Sequence, residues 1–347
     1  MIQIDSSRRV VMAMVKELLC VKNLSAYLCG RETMTKIVDG IDLKISRGET
    51  VGLVGETGAG KTVTALSILG ILQPLGRGKR LWKIEGEVLF KGRDLMKLPE
   101  EELRGIRGTD IAFIPQNPIP SLHPTDIIGY QTGEAVEEHK EVEKQRVINL
   151  VVDHLGKVEI SDAKKRYHHF RNQFSGGEGQ RILIAMALIR NPSLLIADEP
   201  TSSLDVTVQR QVLQLLKAMK ERFDLSMLLI THDLGVIAEM SDYVYIMYAG
   251  KIVEYGDVIT IFKKPVHPFT RGLLASVPRI DASKDFFKFE GIPGESPNPL
   301  YPISGCNFHP RCRYAEAICS REEPKLMEIE RGHSVACLRI DAVCRLN

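Results

Sequence analysis

The 347-residue sequence has no long hydrophobic run, few aromatic residues and almost no net charge. Its longest apolar run, residues 182–189, is bounded by Arg181 and Arg190 and is far shorter than the ~20 residues that cross a bilayer. A net charge of +2 excludes a nucleic-acid-binding protein that depends on bulk electrostatic attraction. We therefore expect a chain without membrane-spanning segments and without a nucleic-acid partner.

Cysteine is almost absent from most of the chain and is concentrated near its end. Two of the seven cysteines lie before position 31, and five lie from position 306 onward. Residues 1–16 contain a charged pair and only a short apolar stretch, so we expect a loose leader and not a secretory signal peptide. We therefore expect a cytoplasmic chain, in which disulfides are rare, and the clustered cysteines need another explanation.

The most specific motif is glycine-rich and follows the apolar segment 49–54. It is the run Gly55-Glu56-Thr57-Gly58-Ala59-Gly60-Lys61-Thr62, which fits the spacing G-x-x-x-x-G-K-[ST]. A strand is predicted before it and a helix after it, so backbone N–H groups and the helix N-terminus can bind phosphate. The Lys61 ammonium would reach the β- and γ-phosphates, and the Thr62 hydroxyl would bind Mg²⁺. We call residues 55–62 the phosphate loop, and it predicts a nucleotide-hydrolysing site.

The remaining segments alternate between predicted strands and predicted helices. Alternating apolar and polar residues over 17–54 predict strands joined by turns, one of them at Asp39-Gly40. Helical spacing over 134–155 predicts a helical insertion at about 121–172. Strands that alternate with helices indicate an α/β fold with a largely parallel sheet. Near the end of the chain, frequent prolines interrupt regular elements and predict a loop-rich appendage.

Two acidic residues follow a predicted buried strand at 194–197. Asp198, at the strand's end, can hold Mg²⁺ directly or through water, and Glu199 can polarise the attacking water. Two acids after a strand also occur in solvated turns. The phosphate loop upstream favours the catalytic interpretation.

The run Phe174-Ser175-Gly176-Gly177-Glu178 opens the apolar helix. Ser175 is a favourable N-cap, and free N–H groups at a helix N-terminus bind anions. With the phosphate loop and the acidic strand end, this run resembles the signature Leu-Ser-Gly-Gly-Gln of the ATP-binding-cassette (ABC) ATPases. In that family two chains enclose two ATP molecules, which implies that Ser175 and Gly177 bind the γ-phosphate of the partner's ATP. Phe174 and Glu178 depart from the usual Leu and Gln.

Three further residues match marks of the ABC family. The resemblance implies that Gln116 contacts Mg²⁺ and water and senses a membrane partner, while Asp205 crosses the dimer interface. It also implies that His232 lies at the γ-phosphate. The catalytic residues would thus be Glu199, His232 and Gln116, and the Mg²⁺ ligands Thr62, Gln116 and Asp198. The implied fold is a P-loop NTPase ABC cassette with a mostly parallel core sheet, an antiparallel β subdomain and a helical subdomain.

The sequence does not single out one residue that would stack on the adenine ring of ATP. Tyr27 is the aromatic residue near the place the family uses, but it falls one position early. Because a slip of one residue on a strand reverses the direction of the side chain, Leu28 is the alternative.

The tail carries a second resemblance. Segments 264–274 and 305–312 resemble those of the oligopeptide/dipeptide importer ATPases, some of which hold an iron–sulfur cluster with tail cysteines. The spacing C-x5-C-x6-C-x17-C does not match the paired C-x-x-C of zinc ribbons. The resemblance implies a [4Fe–4S] cluster, which needs four thiolates, with zinc or free thiols as alternatives. The expected ligands are Cys306, Cys312, Cys319 and Cys337, and Cys344 could substitute for one of them.

We predict three segments: a leader over 1–16, an ABC nucleotide-binding domain over 17–260 and a C-terminal domain over 261–347. The resemblance implies an ATPase at the cytoplasmic face of the membrane that powers import of di- or oligopeptides. Its partners would be two membrane permease subunits, a second ABC ATPase subunit and an extracytoplasmic peptide-binding protein. Another cargo, such as nickel or glutathione, stays open, and so does, more remotely, a soluble ABC ATPase without a transporter.

Overall fold

The computed structural model describes residues 17–30, 33–72, 81–137, 143–202, 204–276 and 291–344. The predicted leader over 1–16 lies outside these residues. No helix in this part of the chain is long and apolar enough to cross a membrane. The described residues form two sheets with helices packed around them, so the predicted α/β fold is confirmed.

The first sheet is antiparallel and has the strand order β2-β1-β4-β5. Apolar residues of its long strands are buried, as Leu18 to Val21 show, and this burial explains why the strands pack as a layer. The antiparallel β subdomain predicted from the sequence is therefore present. Its strands are β1 (Glu17–Cys29), β2 (Met34–Ser46), β4 (Trp82–Phe90) and β5 (Arg93–Asp94).

The predicted turn at Asp39-Gly40 is wrong, because β2 continues through both residues. Gly40 has a φ of 60°, and its N–H donates to the Ser25 hydroxyl at 2.9 Å. On β1, Asn23 has a φ of 48°, and its N–H donates to the Asp42 carboxylate at 2.9 Å. Where the register between β1 and β2 shifts, side-chain oxygens replace backbone carbonyl oxygens as hydrogen-bond acceptors. Both strands therefore continue past the shift.

The second sheet forms the core and has the strand order β11-β12-β10-β9-β3-β8-β7-β6. The pairs from β9 to β6 are parallel, and the pairs from β11 to β9 are antiparallel. The carboxyl ends of the parallel strands therefore meet at one edge, where ligands bind in open α/β sheets. The strands are β3 (Thr50–Val54), β6 (Ile111–Ile114), β7 (Leu194–Asp198), β8 (Ser226–Thr231), β9 (Tyr243–Tyr248), β10 (Lys251–Asp257), β11 (Met327–Glu330) and β12 (His333–Val335).

Strand β7 shows how the core sheet divides the hydrophobic interior into two parts. Leu194 and Ile196 pack into the cluster shared with the antiparallel sheet, whereas Leu195 and Ala197 pack into the cluster with the helices. All four side chains are fully buried, as expected for a parallel strand that is covered on both faces. The core sheet is thus covered on both faces by packed hydrophobic side chains.

The helices cluster in two places, around the core sheet and between β6 and β7. The predicted insertion corresponds to the second group, where the described residues of 134–155 include parts of two helices, Ile128–Glu137 and Lys144–Lys157, and residues 138–142 lie outside the described residues. The helices are Lys61–Ile68, Glu100–Ile106, Pro118–Ser121, Ile128–Glu137, Lys144–Lys157, Ala163–Arg166, Gly176–Leu188, Val206–Phe223, Leu234–Met240, Val258–Lys263, Pro268–Ala275 and Ile340–Cys344.

The tail is joined to the cassette through a buried carboxylate. Strands β11 and β12 of the tail extend the core sheet by pairing with β10. Glu254, on β10, accepts hydrogen bonds from the N–H groups of Val266 and His267 at 2.7 and 3.0 Å. Its carboxylate also lies 2.9 Å from Nε2 of His333 on β12. The loop-rich tail therefore packs against the cassette as a continuation of the same sheet.

Candidate functional site

The phosphate loop leaves the carboxyl end of β3, a fully buried strand between β8 and β9. A Cβ atom at Gly55 would lie 2.1 Å from the carbonyl oxygen of Met247, so no larger residue fits there. Gly60 is the N-cap of the following helix and has a φ of 104°, a conformation that side chains rarely adopt. The two glycines that frame the motif are thus fixed by close packing and by backbone conformation.

Lys61 is buried, and its ammonium bonds to the loop itself. Its Nζ donates to the carbonyl oxygens of Gly55 and Glu56 at 2.8 and 3.0 Å. Burial lowers the pKa of Lys61, while the nearby carboxylates of Glu199 and Asp198 oppose that shift. A desolvated ammonium that donates to backbone carbonyl oxygens is well suited to bind an anion.

The structure brings the two strongest predicted Mg²⁺ ligands together. The Thr62 hydroxyl donates to the Asp198 carboxylate at 2.7 Å, although the residues are 136 positions apart. Burial raises the pKa of Asp198. A hydroxyl and a carboxylate are hard oxygen donors of the kind that Mg²⁺ prefers, and a cation would relieve the desolvation of Asp198. These residues therefore fit the predicted ion.

The three predicted catalytic side chains also meet. Nε2 of Gln116 donates to Oε2 of Glu199 at 2.8 Å, and Nδ1 of His232 lies 3.0 Å from Oε1 of the same carboxylate. The Glu199 side chain is almost buried, whereas that of His232 is 57% exposed. Each oxygen of Glu199 is thus oriented by a different residue. The chemical roles of the three residues stay predictions.

Glu199 has an unusual backbone, with a φ of 47°. Its N–H, just past the end of β7, donates to the carbonyl oxygen of Ile230 on β8 at 2.8 Å. A left-handed conformation in a non-glycine residue costs free energy, and such positions cluster at functional sites. This conformation turns the chain at the strand end and points the Glu199 carboxylate towards Gln116 and His232.

The signature segment is built as the sequence predicts, but apart from the phosphate loop. The Ser175 hydroxyl accepts from the N–H of Glu178 at 3.3 Å, and the Glu178 carboxylate accepts from the N–H of Ser175 at 2.9 Å. This capping box, supported by an ion pair from Arg166, uses the glutamate that replaces the family's usual Gln. Among the described residues, no hydrogen bond connects Ser175 or Gly177 to the phosphate loop of the same chain.

Asp205 caps the helix Val206–Phe223. Its carboxylate accepts from the N–H groups of Thr207 and Val208 at 3.1 and 3.0 Å. This contact gives Asp205 a structural role within the chain, and its predicted place at a dimer interface stays a prediction.

Tyr27 lies on β1 among charged residues. Its hydroxyl donates to Glu85 at 3.2 Å, and the ammonium groups of Lys36 and Lys83 lie 5.4 and 5.6 Å from the ring centre. The register of β1 shifts between Ala26 and Tyr27, so the strict alternation of faces does not apply there. The choice between Tyr27 and Leu28 as the adenine-stacking residue therefore stays open.

Four of the tail cysteines, Cys306, Cys312, Cys319 and Cys337, lie near one another. Burial raises the pKa of the Cys306 and Cys312 thiols and raises that of Cys337 to about 11, and neighbouring cysteines add to these shifts. In the described residues, no group of three or more His, Cys, Asp or Glu side chains is arranged to hold a metal ion. The predicted [4Fe–4S] cluster, with Cys319 as its fourth sequence-predicted ligand, therefore gains no support from the structure.

One contact at this site was missed by sequence reasoning. Arg311 of the tail forms a bidentate ion pair with Glu56 in the phosphate loop. The residues are 255 positions apart. Nothing in the motifs around them links one segment to the other. No local signal in the sequence could have indicated this pair.

Comparisons with known protein families agree with the site's geometry. The ABC transporter family profile matches residues 38–202. The profile described as the oligopeptide/dipeptide transporter, C-terminal region, matches residues 253–319. The two matches cover the phosphate loop and acidic strand on one side, and the first three tail cysteines on the other.

Individual proteins give the same answer. The chain is 43% identical over 329 residues to a probable peptide ABC transporter ATP-binding protein of Sinorhizobium fredii, covering 95% of this chain and 97% of that protein. It is 42% identical over 323 residues to the dipeptide transport ATP-binding protein DppD of Bacillus subtilis, covering 93% and 95%. A dimeric post-hydrolysis structure of the ATP-binding cassette MJ0796 with ADP and Pi has a TM-score of 0.60 at 25% identity, covering 69% of this chain and 98% of that one. The chain therefore belongs to the ABC transporter ATPases, among the ATP-binding proteins of the oligopeptide/dipeptide transporter family.

Proposed function

We propose that this chain is the ATP-hydrolysing subunit that powers an importer of di- or oligopeptides. The observation that carries the proposal is the assembly of Gln116, Glu199 and His232 beside the Thr62–Asp198 pair. The names of the relatives supply the cargo, because several are dipeptide or oligopeptide transport proteins. The segment 17–260 would carry the ATP site and 261–347 the family-specific tail.

The proposed mechanism assigns each side chain a task. Lys61 turns from the carbonyl oxygens of the loop to the β- and γ-phosphates of ATP. Thr62, Asp198 and Gln116 would hold Mg²⁺, which neutralises charge on the phosphates. Glu199 accepts a hydrogen bond from the attacking water and polarises it.

Further residues would complete the reaction site. Gln116 and His232 keep the Glu199 carboxylate in one orientation, as they do in the structure. The N–H groups of the phosphate loop, residues 55–60, would surround the phosphates, and Tyr27 would stack on adenine. This arrangement requires no large rearrangement of the acidic strand end before water attacks.

A second ATPase chain completes the proposed site. Among the described residues, Ser175 and Gly177 make no hydrogen bond to the phosphate loop of the same chain, which is compatible with a γ-phosphate contact made across two chains. Asp205 would then lie at the boundary between the chains. We propose that the pair works at the cytoplasmic face with two membrane permease subunits and an extracytoplasmic peptide-binding protein, and that the second ATPase is a different chain.

The test is uptake of defined peptides by cells that depend on the reassembled transporter. Cells with the wild-type chain should take up labelled di- or oligopeptides, and cells with Glu199→Gln should not. Uptake of nickel or glutathione with no uptake of peptides would contradict the proposed cargo while preserving the ATPase assignment.

We also propose that Cys306, Cys312, Cys319 and Cys337 bind a [4Fe–4S] cluster. The described tail does not close around a single ion, but the cysteines are near enough to affect one another's ionisation. Burial keeps the thiols of Cys306, Cys312 and Cys337 protonated, and binding of iron would compensate for the cost of their deprotonation. Such a cluster would stabilise the loop-rich tail.

The cluster proposal is tested by analysis of anaerobically purified protein. We expect brown protein with iron and sulfide approaching about four each per chain. Changing any one of the four cysteines to Ser should bleach the protein, while Cys20→Ser should not. Colourless protein with one zinc per chain, or with no metal, would contradict the proposal.

A further inference from the structure

The tail reaches across the fold to the first variable position of the phosphate loop. Nη1 and Nη2 of Arg311 donate to the two carboxylate oxygens of Glu56 at 2.7 and 3.0 Å. The Ser296 hydroxyl, also from the tail, donates to the same carboxylate. Glu56 thus has three hydrogen bonds from the tail and lies directly after Gly55, where the loop begins.

Arg311 is itself held in place by the tail and by the core sheet. Its Nε donates to the carbonyl oxygen of Pro293 at 2.7 Å, and its Nη1 lies 3.3 Å from the Tyr248 hydroxyl on β9. The Arg311 side chain is only 8% exposed and that of Glu56 is 22% exposed. A bidentate ion pair that is largely withdrawn from water fixes both partners far better than an exposed pair does.

The charge of Glu56 matters because it lies close to the proposed phosphate site. Burial alone would raise the pKa of Glu56, but the hydrogen bonds from Arg311 and Ser296 outweigh burial and lower it. Glu56 is therefore a carboxylate, and it is near enough to Lys61 for each to shift the pKa of the other. Without Arg311 this negative charge would repel the phosphates of ATP.

The geometry of the loop depends on the same residue. The carbonyl oxygen of Glu56 accepts a hydrogen bond from Lys61 at 3.0 Å. The position of the Glu56 backbone therefore determines where the Lys61 ammonium lies before ATP binds. An anchored Glu56 side chain keeps this backbone in place when Lys61 moves to the phosphates. Arg311 therefore influences both the charge and the shape of the site.

We infer that Arg311 of the tail is a positioning residue for ATP, which acts through Glu56 by neutralising its charge and fixing the start of the phosphate loop. The inference rests on the proposed role of this loop in binding ATP. It gives the tail a function at the nucleotide site that does not depend on cargo or on a bound metal. The tail and the nucleotide site are thereby coupled within one chain.

The test compares two variants of the full chain, Arg311→Met and the double variant Arg311→Met with Glu56→Gln. Binding of MgATP is measured by displacement of a fluorescent ATP analogue at fixed ionic strength. We expect Arg311→Met to weaken binding about tenfold, because it leaves a partly buried carboxylate unpaired beside the phosphates. The double variant should recover most of this loss, because the repelling charge is gone. In hydrolysis assays, Arg311→Met should raise KM more than it lowers kcat.

A structural role of Arg311 without charge compensation would give a different result, with the double variant as weak as the single one. That outcome, or wild-type affinity in Arg311→Met, would overturn the inference. Arg321→Met is the matched control, because Arg321 is an exposed arginine of the same tail. If Arg311→Met does not fold, Arg311→Gln gives the same comparison, since Gln can still donate to a carbonyl oxygen.

A Lys61→Ala variant separates this inference from the proposed function. Loss of ATP binding in Lys61→Ala together with wild-type binding in Arg311→Met would overturn only the role of Arg311. Unchanged binding in Lys61→Ala would instead contradict the phosphate loop as the ATP site.

Discussion

The nucleotide site and the cysteine-bearing tail both bring together residues that are distant in the sequence. They differ in the interactions that hold those residues in place. At the nucleotide site, polar side chains bond directly to one another, as in the contacts of Glu199 with Gln116 and His232. In the tail, four cysteines lie near one another, Cys319 buried and the other three half-buried, and within the described residues they form no group that holds a metal. The polar side chains of the first region are therefore oriented by hydrogen bonds to one another.

The difference follows from the groups available to each region. Carboxylates, amides and imidazoles satisfy one another by hydrogen bonding, so a buried cluster of them is stable without a bound ligand. Thiols are weak donors and weak acceptors, and burial keeps them protonated. Hydrogen bonding therefore fixes the geometry of a thiol cluster less firmly than that of a cluster of carboxylates, amides and imidazoles. The following predictions test this contrast, from the largest expected effect to the smallest.

The largest effect is expected from Glu199→Gln. The change keeps the size of the side chain but removes the carboxylate that we propose polarises the attacking water. Steady-state ATP hydrolysis should fall by about 10²–10⁴-fold while ATP still binds. Glu221→Gln, at an exposed position, is the control and should hydrolyse ATP normally. A wild-type rate in Glu199→Gln would show that the preassembled cluster is not the catalytic one.

A smaller but still large effect is expected from Lys61→Ala. It removes a buried ammonium that donates to backbone carbonyl oxygens, and ATP binding should weaken by about 2–5 kcal/mol in a titration. Lys217→Ala, on the exposed face of a helix, should bind ATP as the wild type does. Equal affinity in the two variants would place the phosphate site elsewhere.

The stability of the segment around His267, which links the cassette to the tail, should decrease at acidic pH. Burial lowers the pKa of His267 to about 4, and its Nδ1 accepts a hydrogen bond from the Phe269 N–H at 3.1 Å. As pH falls from about 6.5 to 4, the unfolded chain binds a proton that the folded chain does not, so stability is lost in this window. Between pH 7 and 5, His267 alone should lower the free energy of unfolding by about 2 kcal/mol.

The contribution of His267 is isolated by comparing urea unfolding of wild type and His267→Asn at both pH values. Asn keeps an acceptor at the N-cap and does not titrate, so the variant should lose less stability on acidification. His168→Asn, at an exposed position, should behave like the wild type. Identical pH dependence in wild type and His267→Asn would show that this segment does not lose stability at acidic pH through His267.

The smallest effect is expected from Asp205→Ala, which removes the cap of the helix Val206–Phe223. Loss of two side-chain-to-backbone hydrogen bonds should lower the free energy of unfolding by about 1 kcal/mol in urea titrations. Thr207→Ala, in the first turn of the same helix, is the control and should be nearly neutral. If Asp205→Ala reduces hydrolysis far more than stability, the residue also acts between chains.

Much of the fold was predictable because its signals are local. The strand that ends at Asp198 follows from a run of apolar residues, and the helix that begins after Ser175 follows from an apolar run behind a favourable N-cap. The turn at Asp39-Gly40 was predicted wrongly, because the hydrogen bonds that keep β2 continuous come from Ser25 on the neighbouring strand and Asp42 beyond the turn. Local turn chemistry was overridden by contacts between strands.

The sequence by itself determined the phosphate loop, the acidic strand end, the signature and the family, since these depend on residue types at short, fixed spacings. The tertiary structure alone decided which atoms make direct contact within these predicted groups, such as the Thr62 hydroxyl with the Asp198 carboxylate, and it alone paired Arg311 with Glu56. It also decided that the tail continues the core sheet through β12. The physical reason is that these contacts arise from the order of strands in a sheet and from packing between layers, and neither is encoded in the spacing of neighbouring residues.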